Sequence, residues 1–331
     1  VKAQALREII ESKDKVVVMG HRLTDADSFG AAVGIYRASK ALNKKAYIVV
    51  NDVTTSVRPM LDQFNEVNSP ETGLVIGSGQ AREIVDRNTA VIVVDTNRPS
   101  YTECEDILSM TPTVVVFDHH RKGNEAISHA VLSYIEPNAS SACEMVAEIL
   151  QYFADNVRLK GGEADCMYAG IVIDTDNFMT KTGVRTFEAA AFLRRSGADV
   201  VRVRKMLRDN MEDYKARAEA VSHAQIFEQS YAISVCRPDG LSSPTVVGAQ
   251  AANELLDISN IKASFVLTEY NGRIYVSARS IDEVNVQIIM ERLGGGGHMN
   301  ASGAQFDHTD MTEALSSLKK VIDDMSEGGD I

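Results

Sequence analysis

The sequence predicts an α/β fold: a parallel-sheet domain with helices on both faces, then a smaller α+β domain joined to it by a helical linker. Three observations predict it. Short β-branched runs alternate with helix-like segments through the first half, the pattern of βαβ units. Those runs are apolar at consecutive positions, as in strands buried on both faces. Past residue 198 the pattern gives way to charged helical spacing and then to hairpin-like strands. The 331 residues suit two domains at a common ~150 residues each.

Residues 15–19 (KVVVM) read as the first strand, and 29–42 (FGAAVGIYRASKAL) as a helix rich in small residues. Strands follow at 45–51 (KAYIVVN), 90–95 (AVIVVD) and 113–118 (TVVVFD). Segments 141–153 and 162–173 look helical, although the second is apolar enough to be ambiguous. Residues 199–224 contain no Gly or Pro, and Val200, Val203, Leu207, Met211 and Tyr214 recur at helical spacing. A surface helix or helix pair is expected there, its basic residues forming a solvated face rather than a nucleic-acid patch. In the second domain, 232–237, 263–270 and 272–279 read as strands, with Asn271-Gly272 a type I′ hairpin turn. Helices are expected at 282–293 and 311–325. The expected divisions are 1–198, 199–224 and 225–331.

The net charge of −12 disfavours long nucleic acid and anionic lipid, which need clustered Lys and Arg. Cys104, Cys143, Cys166 and Cys236 form no CxxC pair, which excludes a disulfide scaffold and fits a reducing compartment. No apolar run approaches the ~18–20 residues of a membrane helix. The first residue is Val1, so a piece of a longer or processed protein is expected.

The Asp and His residues carry the chemistry. His21, Asp25 and Asp27 follow the first strand, Asp95 ends the run AVIVVD, and Asp118, His119 and His120 end TVVVFD. Asp174 ends the run AGIVID. Ligands of open α/β sheets bind beyond the carboxyl ends of the strands. Four strand ends finishing in Asp or His would therefore deliver these groups to one edge. A single Asp there is more often a helix cap, as Asp27-Ser28 could be, but convergence of four ends is not explained that way. Clustered carboxylates cannot all ionise without cations. Oxygen ligands with a minority of imidazole suit Mn²⁺, and also Mg²⁺, Fe²⁺ or Zn²⁺. Six ligands exceed one ion's usual share, so two are expected. Two ions ~3.5–4 Å apart polarise a phosphoryl oxygen and activate water.

The glycine run Gly294, Gly295, Gly296, Gly297 lets backbone approach a ligand and offers amide donors. His298, Asn300 and Ser302 add hydrogen-bonding groups, and Arg279 can pair with phosphate. This is read as a substrate-binding loop, with the two domains facing each other across a cleft.

HRLTDADSFG, VVDTN, DHH and GIVIDTDNF resemble the four motifs of the DHH phosphoesterase superfamily, and GGGGHMNASG resembles its DHH-associated C-terminal domain. The resemblance implies that His21 and Asp25 hold one metal, that Asp27, His119 and Asp174 hold the other, and that Asp95 bridges them. It also implies that Asp118 supports the imidazoles and that His120 faces the scissile phosphate. DTNRPSYTE, DHHRKG and SYIEPNASSACEMVAEIL further resemble the catalytic portion of GdpP-type cyclic-di-AMP phosphodiesterases. That implies hydrolysis of cyclic di-AMP to linear pApA with two divalent ions, Mn²⁺ foremost, and Arg98 and Arg121 supporting the metal-site edge. It implies a homodimer and the cytoplasmic catalytic part of a longer membrane-anchored protein, with no direct membrane contact from this piece. Asn138 departs from the family's lean toward an aromatic residue. The alternatives are a hydrolase of short linear oligonucleotides or nucleoside bisphosphates, and a catalytically silent cyclic-dinucleotide sensor.

Overall fold

The β-branched runs become β1 (Lys15–Met19), β2 (Lys45–Val49), β4 (Thr89–Val94) and β5 (Val114–Asp118), joined by the short β3 (Val75–Ile76) and β6 (Leu132–Ile135). They form a parallel sheet in the order β3-β2-β1-β4-β5-β6. The computed structural model describes residues 1–68, 73–281 and 283–328. Its helices before residue 209 are α1 (Lys2–Glu11), α2 (Ala26–Ala41), α3 (Arg58–Asn68), α4 (Ser78–Ile84), α5 (Ile107–Met110), α6 (Ala142–Phe153), α7 (Gly161–Asp174), α8 (Val184–Arg195) and α9 (Val200–Met206).

Alternation along β1 shows why both faces are covered. Val16 and Val18 pack with Leu6, Phe29, Met60, Val146 and Met167 of α1, α2, α3, α6 and α7. Val17 and Met19 pack with Ala81 of α4 and with Ile107 and Leu108 of α5. The strand order reverses between β1 and β4, so their carboxyl ends flank the crevice where doubly wound sheets bind ligands.

Two expectations change here. The helix expected at 29–42 is α2 and begins at Ala26, because Asp25 rather than Asp27 is its N-cap and accepts a hydrogen bond from Ser28 N at 2.9 Å. Asp174 ends a helix and not a strand. Its apolar run is buried against other helices, which period alone cannot tell from a buried strand. The 199–224 segment is a helix pair, one of the two forms expected, α9 and then α10 (Met211–Ser222), and the chain divides into compact units between them, at Arg208 and Asp209. α9 is tied to the first unit by Arg202, whose guanidinium meets buried Asp165 at 2.6 Å.

The C-terminal unit adds β7 (Gln225–Phe227), β8 (Tyr231–Cys236), α11 (Pro244–Leu255), β9 (Ala263–Tyr270), β10 (Arg273–Ser280), α12 (Val286–Arg292), β11 (Gly296–His298), β12 (Ala301–Asp307) and α13 (Met311–Gly328). Its mixed sheet runs β11-β12-β10-β9-β8-β7, with β8 and β9 parallel. Asn271 and Gly272 both have positive φ, +51° and +72°, as a type I′ turn requires. The helix expected at 282–293 is observed as α12, and position 282 lies outside the described residues. Ile274, Val276 and Ala278 face a core shared with α12 and α13, while α10 and α11 cover β8 and β9 from the other side. No helix among the described residues is long and apolar enough to cross a membrane.

Candidate metal centre

The loops beyond β1, β4 and β5 bring their acidic and imidazole groups together with the end of α7. His21 Nε2 lies 3.3 Å from both Asp25 Oδ2 and Asp95 Oδ2. His119 Nε2 lies 3.2 Å from Asp95 Oδ1, 3.5 Å from Asp174 Oδ2 and 3.8 Å from Asp27 Oδ2. Potential ligand atoms fall into overlapping groups, His21–Asp25–Asp95, Asp27–His119–Asp174 and Asp95–His119–His120, each within 4.8 Å. His120 thus stands close enough to be a ligand itself. Asp95 belongs to the groups on either side.

Each group is positioned by a local device. Gly170 lets α7 approach α2: a Cβ there would stand 2.5 Å from Cys143 Sγ and 2.9 Å from Asp27 Cα. This close crossing sets Asp27 beside Asp174. Both Asp27 oxygens accept amide hydrogens at the start of α6, from Ala142 N at 2.6 Å and Cys143 N at 2.8 Å, where the helix terminus favours negative charge. The Cys143 thiol donates to the Asp27 carbonyl at 3.3 Å. Asp95 takes φ +60°, a left-handed conformation that Asp adopts more readily than most residues. His21 turns Nδ1 to the Arg22 carbonyl at 2.8 Å, so Nδ1 carries the hydrogen and Nε2 is the ligand atom.

The charges conflict as the sequence led one to expect. Burial raises Asp27, Asp95 adds to it, and the carboxyl stands at about 7. Burial likewise pushes Asp174 well above the ordinary range, with Asp27 and Asp95 contributing. Burial would raise Asp95 too, but His119 and His21 outweigh it and hold the carboxyl well below its usual value. Burial pulls both imidazoles down, yet Asp25 and Asp95 bring His21 up to about 11, and Asp95 and Asp27 bring His119 to about 10. In metal-free protein these shifts favour protonated imidazoles, whose positive charge offsets the carboxylates; a bound ion would take the place of those protons. Asp95 Oδ1 is buried and accepts no hydrogen bond, although His119 Nε2 stands near it. An orphaned carboxylate oxygen facing imidazole nitrogens, within an O/N donor set, fits divalent ions.

Asp118 is fully buried and receives His120 Nδ1 at 2.8 Å and Asn97 Nδ2 at 2.5 Å. It orients His120. Arg98 and Arg121 are exposed on the adjoining loops; Arg98 stacks on Tyr101 at 5.4 Å, and the Arg121 carbonyl accepts from Asn97 at 3.5 Å. Asn138 is exposed, its amide bonded to Glu136. Sequence reasoning assigned no role to Asn97 or to buried Glu103; neither lies in a periodic pattern, and only the folded loops reveal their partners.

The glycine run lies in the C-terminal unit. Part of it is ordered as strand: Gly296, Gly297 and His298 pair with Gly303, Ser302 and Ala301. Ser302 is buried and its hydroxyl donates to the His298 carbonyl at 2.5 Å, so it shapes the turn. Arg279 pairs with Ala301 across the next ladder. Cross-strand partners share a face, so Arg279, His298 and Gly296 stand on one side of the sheet, over small Ala301 and Gly303. Asn300 is exposed at the turn.

A parallel doubly wound sheet with an acid-and-imidazole centre at its switch point defines the class: an α/β protein with a candidate metal centre. Residues 15–171 match the DHH family N-terminal domain, and residues 228–324 match the DHHA1 domain. The chain carries a DHH family N-terminal domain followed by a DHHA1 domain. It is 41% identical over 330 residues to the cyclic-di-AMP phosphodiesterase GdpP of Geobacillus thermodenitrificans, with 99% of this chain and 50% of that protein covered. The chain spans about half the length of that relative. It is 27% identical to the bifunctional oligoribonuclease and PAP phosphatase NrnA of Mycoplasma genitalium, covering 95% of this chain and 96% of that one. Among solved structures, an exopolyphosphatase-related protein from Bacteroides fragilis superposes with TM-score 0.83 at 19% identity, covering 98% and 96% of the two chains, a likeness of fold.

Proposed function

We propose that this chain is a metal-dependent phosphodiesterase that hydrolyses one 3′–5′ bond of cyclic di-AMP to give linear pApA. The observation that carries the reading is the sharing of Asp95 between two ligand groups, one oxygen turned toward His21 and the other toward His119. His21 and Asp25 would hold one divalent ion, Asp27, His119 and Asp174 a second, and Asp95 both. Mn²⁺ is the ion we favour. Bound there, the ions supply Lewis acidity and an activated water. The chain's own residues supply the rest. Amides at the start of α6 fix the Asp27 carboxylate. Asp118 holds His120 through Nδ1, and His120 gives a proton to the leaving 3′ oxygen as water adds to phosphorus. Arg98 and Arg121 attract phosphate at the rim, and the Arg279–His298 face of the C-terminal unit, with the glycine run and Asn300, carries phosphate-binding groups. The relationship to GdpP supports the substrate. We also propose, from the resemblance of the motifs, that the chain is the cytoplasmic catalytic portion of a longer membrane-anchored homodimer.

The nearly full-length alignment with NrnA favours a second reading, hydrolysis of short linear oligonucleotides or nucleoside bisphosphates. Initial rates on cyclic di-AMP and pApA, measured side by side with Mn²⁺, separate the two. Faster cleavage of the cyclic substrate supports the first. Much faster cleavage of pApA selects the second. Binding of cyclic di-AMP without turnover identifies a sensor and defeats both.

A further inference from the structure

We propose that Glu103 is a positioning residue for one half of the metal centre, holding the loop that carries His21 and Asp25. The inference rests on the two-ion reading above. Glu103 is only 7% exposed, and a buried carboxylate must be satisfied by donors. Its donors come from two other strand ends. Thr24 Oγ1 donates to Oε1 at 2.6 Å, and Asn51 Nδ2 donates to Oε2 at 2.6 Å. Thr24 lies between His21 and Asp25, and Asn51 follows β2. The backbone joins in: Glu103 N donates to the Gly20 carbonyl at 3.0 Å, and Arg22 N to the Tyr101 carbonyl at 2.7 Å. His21 and Thr102 thereby form an isolated antiparallel bridge. Asn51 Oδ1 accepts in turn from Ser78 N at 2.9 Å. One carboxylate, on the loop after β4, therefore pins the loops after β1 and β2.

The other half of the centre is held differently. Asp27 is gripped by the start of α6, His119 follows β5 directly and Asp174 ends α7. Loss of the Glu103 clamp should therefore loosen one ion site and spare its neighbour. A side chain that served folding alone would not discriminate between them.

The test is Mn²⁺ binding to metal-stripped protein, by calorimetry with bound ions counted by electron paramagnetic resonance, for wild type, Glu103→Gln and Thr24→Val. Wild type should bind two ions. Each variant should bind one with wild-type affinity and the other about 10–100-fold more weakly, the usual effect of losing a group that supports a ligand. Unchanged affinity at both sites overturns the proposal, and so does equal weakening of both. Thr24→Val removes only the hydroxyl and decides the matter if Glu103→Gln does not fold. A wild type that binds fewer than two ions defeats the two-ion reading itself and this inference with it. Two ions bound without hydrolysis of cyclic di-AMP would sink the proposed substrate and leave the role of Glu103 standing.

Discussion

The two units handle polar groups in opposite ways. The N-terminal unit buries charge: Asp27 and Asp95 are almost inaccessible, and neighbouring imidazoles are held far from their ordinary pKa. The C-terminal unit sets half-buried Arg279 and exposed His298 on one face of its sheet and satisfies part of the glycine run, Gly296 and Gly297, by ordinary strand pairing. Buried, conflicting charge is suited to chemistry on a held group. A sheet face with a near-naked backbone is suited to binding. On this contrast, changes in the first unit should act on kcat and metal affinity, and changes in the second on KM.

The largest effect should come from Asp95→Asn. Asn tolerates the left-handed backbone as Asp does, so the substitution tests charge rather than fold. Turnover should drop by ~10³-fold or more, exceeding the ~10–100-fold loss typical of supporting groups, with an unchanged circular dichroism spectrum. Substantial Mn²⁺-dependent turnover would break the contrast at its centre. Next is Gly170→Ala, whose methyl would collide with Cys143 and Asp27. Overpacking of this kind costs about 1–3 kcal/mol, and it should lower both Tm and affinity for the ion at Asp27. A variant with wild-type Tm would show that the α2–α7 crossing is not tight.

A pH series sharpens the contrast. In metal-free protein, Asp27 at about 7, His119 at about 10 and His21 at about 11 all stand above their unfolded values. Each contributes stability present at low pH and lost as pH rises through its folded value. Asp27 therefore loses its contribution between about pH 4 and 7, and the imidazoles lose theirs between about pH 6.5 and 11. The depressed Asp95 acts the other way, only at acid pH. Above pH 4 the Tm of chelator-treated protein should fall as pH rises, while Mn²⁺ affinity should rise, because ligation needs deprotonated imidazoles. Proton release on Mn²⁺ binding, measured in buffers of differing ionisation enthalpy, checks this directly. The smallest effect is expected at the Arg279–His298 face. His298→Ala should raise KM about 10-fold, the scale of one hydrogen bond to a charged group, with little change in kcat. An unchanged KM would remove the binding role from that face.

Most of the first sheet was legible because consecutive Val and Ile residues can only be strands buried on both faces or interior helix, and short length separates the two. The ambiguity fell on 162–173, where the run is long, and it placed Asp174 on a strand when it ends α7. The start of α2 was displaced because Asp25, Asp27 and Ser28 are all good caps, and only the folded chain shows which one accepts the amide. The centre was legible through residue type, since Asp and His at strand ends are visible in one dimension. Glu103 was not, because a carboxylate in an irregular loop has no period to betray it. Its meaning comes from Thr24 and Asn51, distant in sequence.

The hydrogen bond from Cys143 to the Asp27 carbonyl has a consequence for how little room the centre leaves behind it. Burial, reinforced by Asp27, pushes that thiol well above its ordinary range in the metal-free protein, so the sulfur there is a neutral donor. It also fills the space that a side chain at residue 170 would need, since a Cβ on Gly170 would stand 2.5 Å from it. One small, polarizable side chain thus lets three helices meet behind the carboxylates.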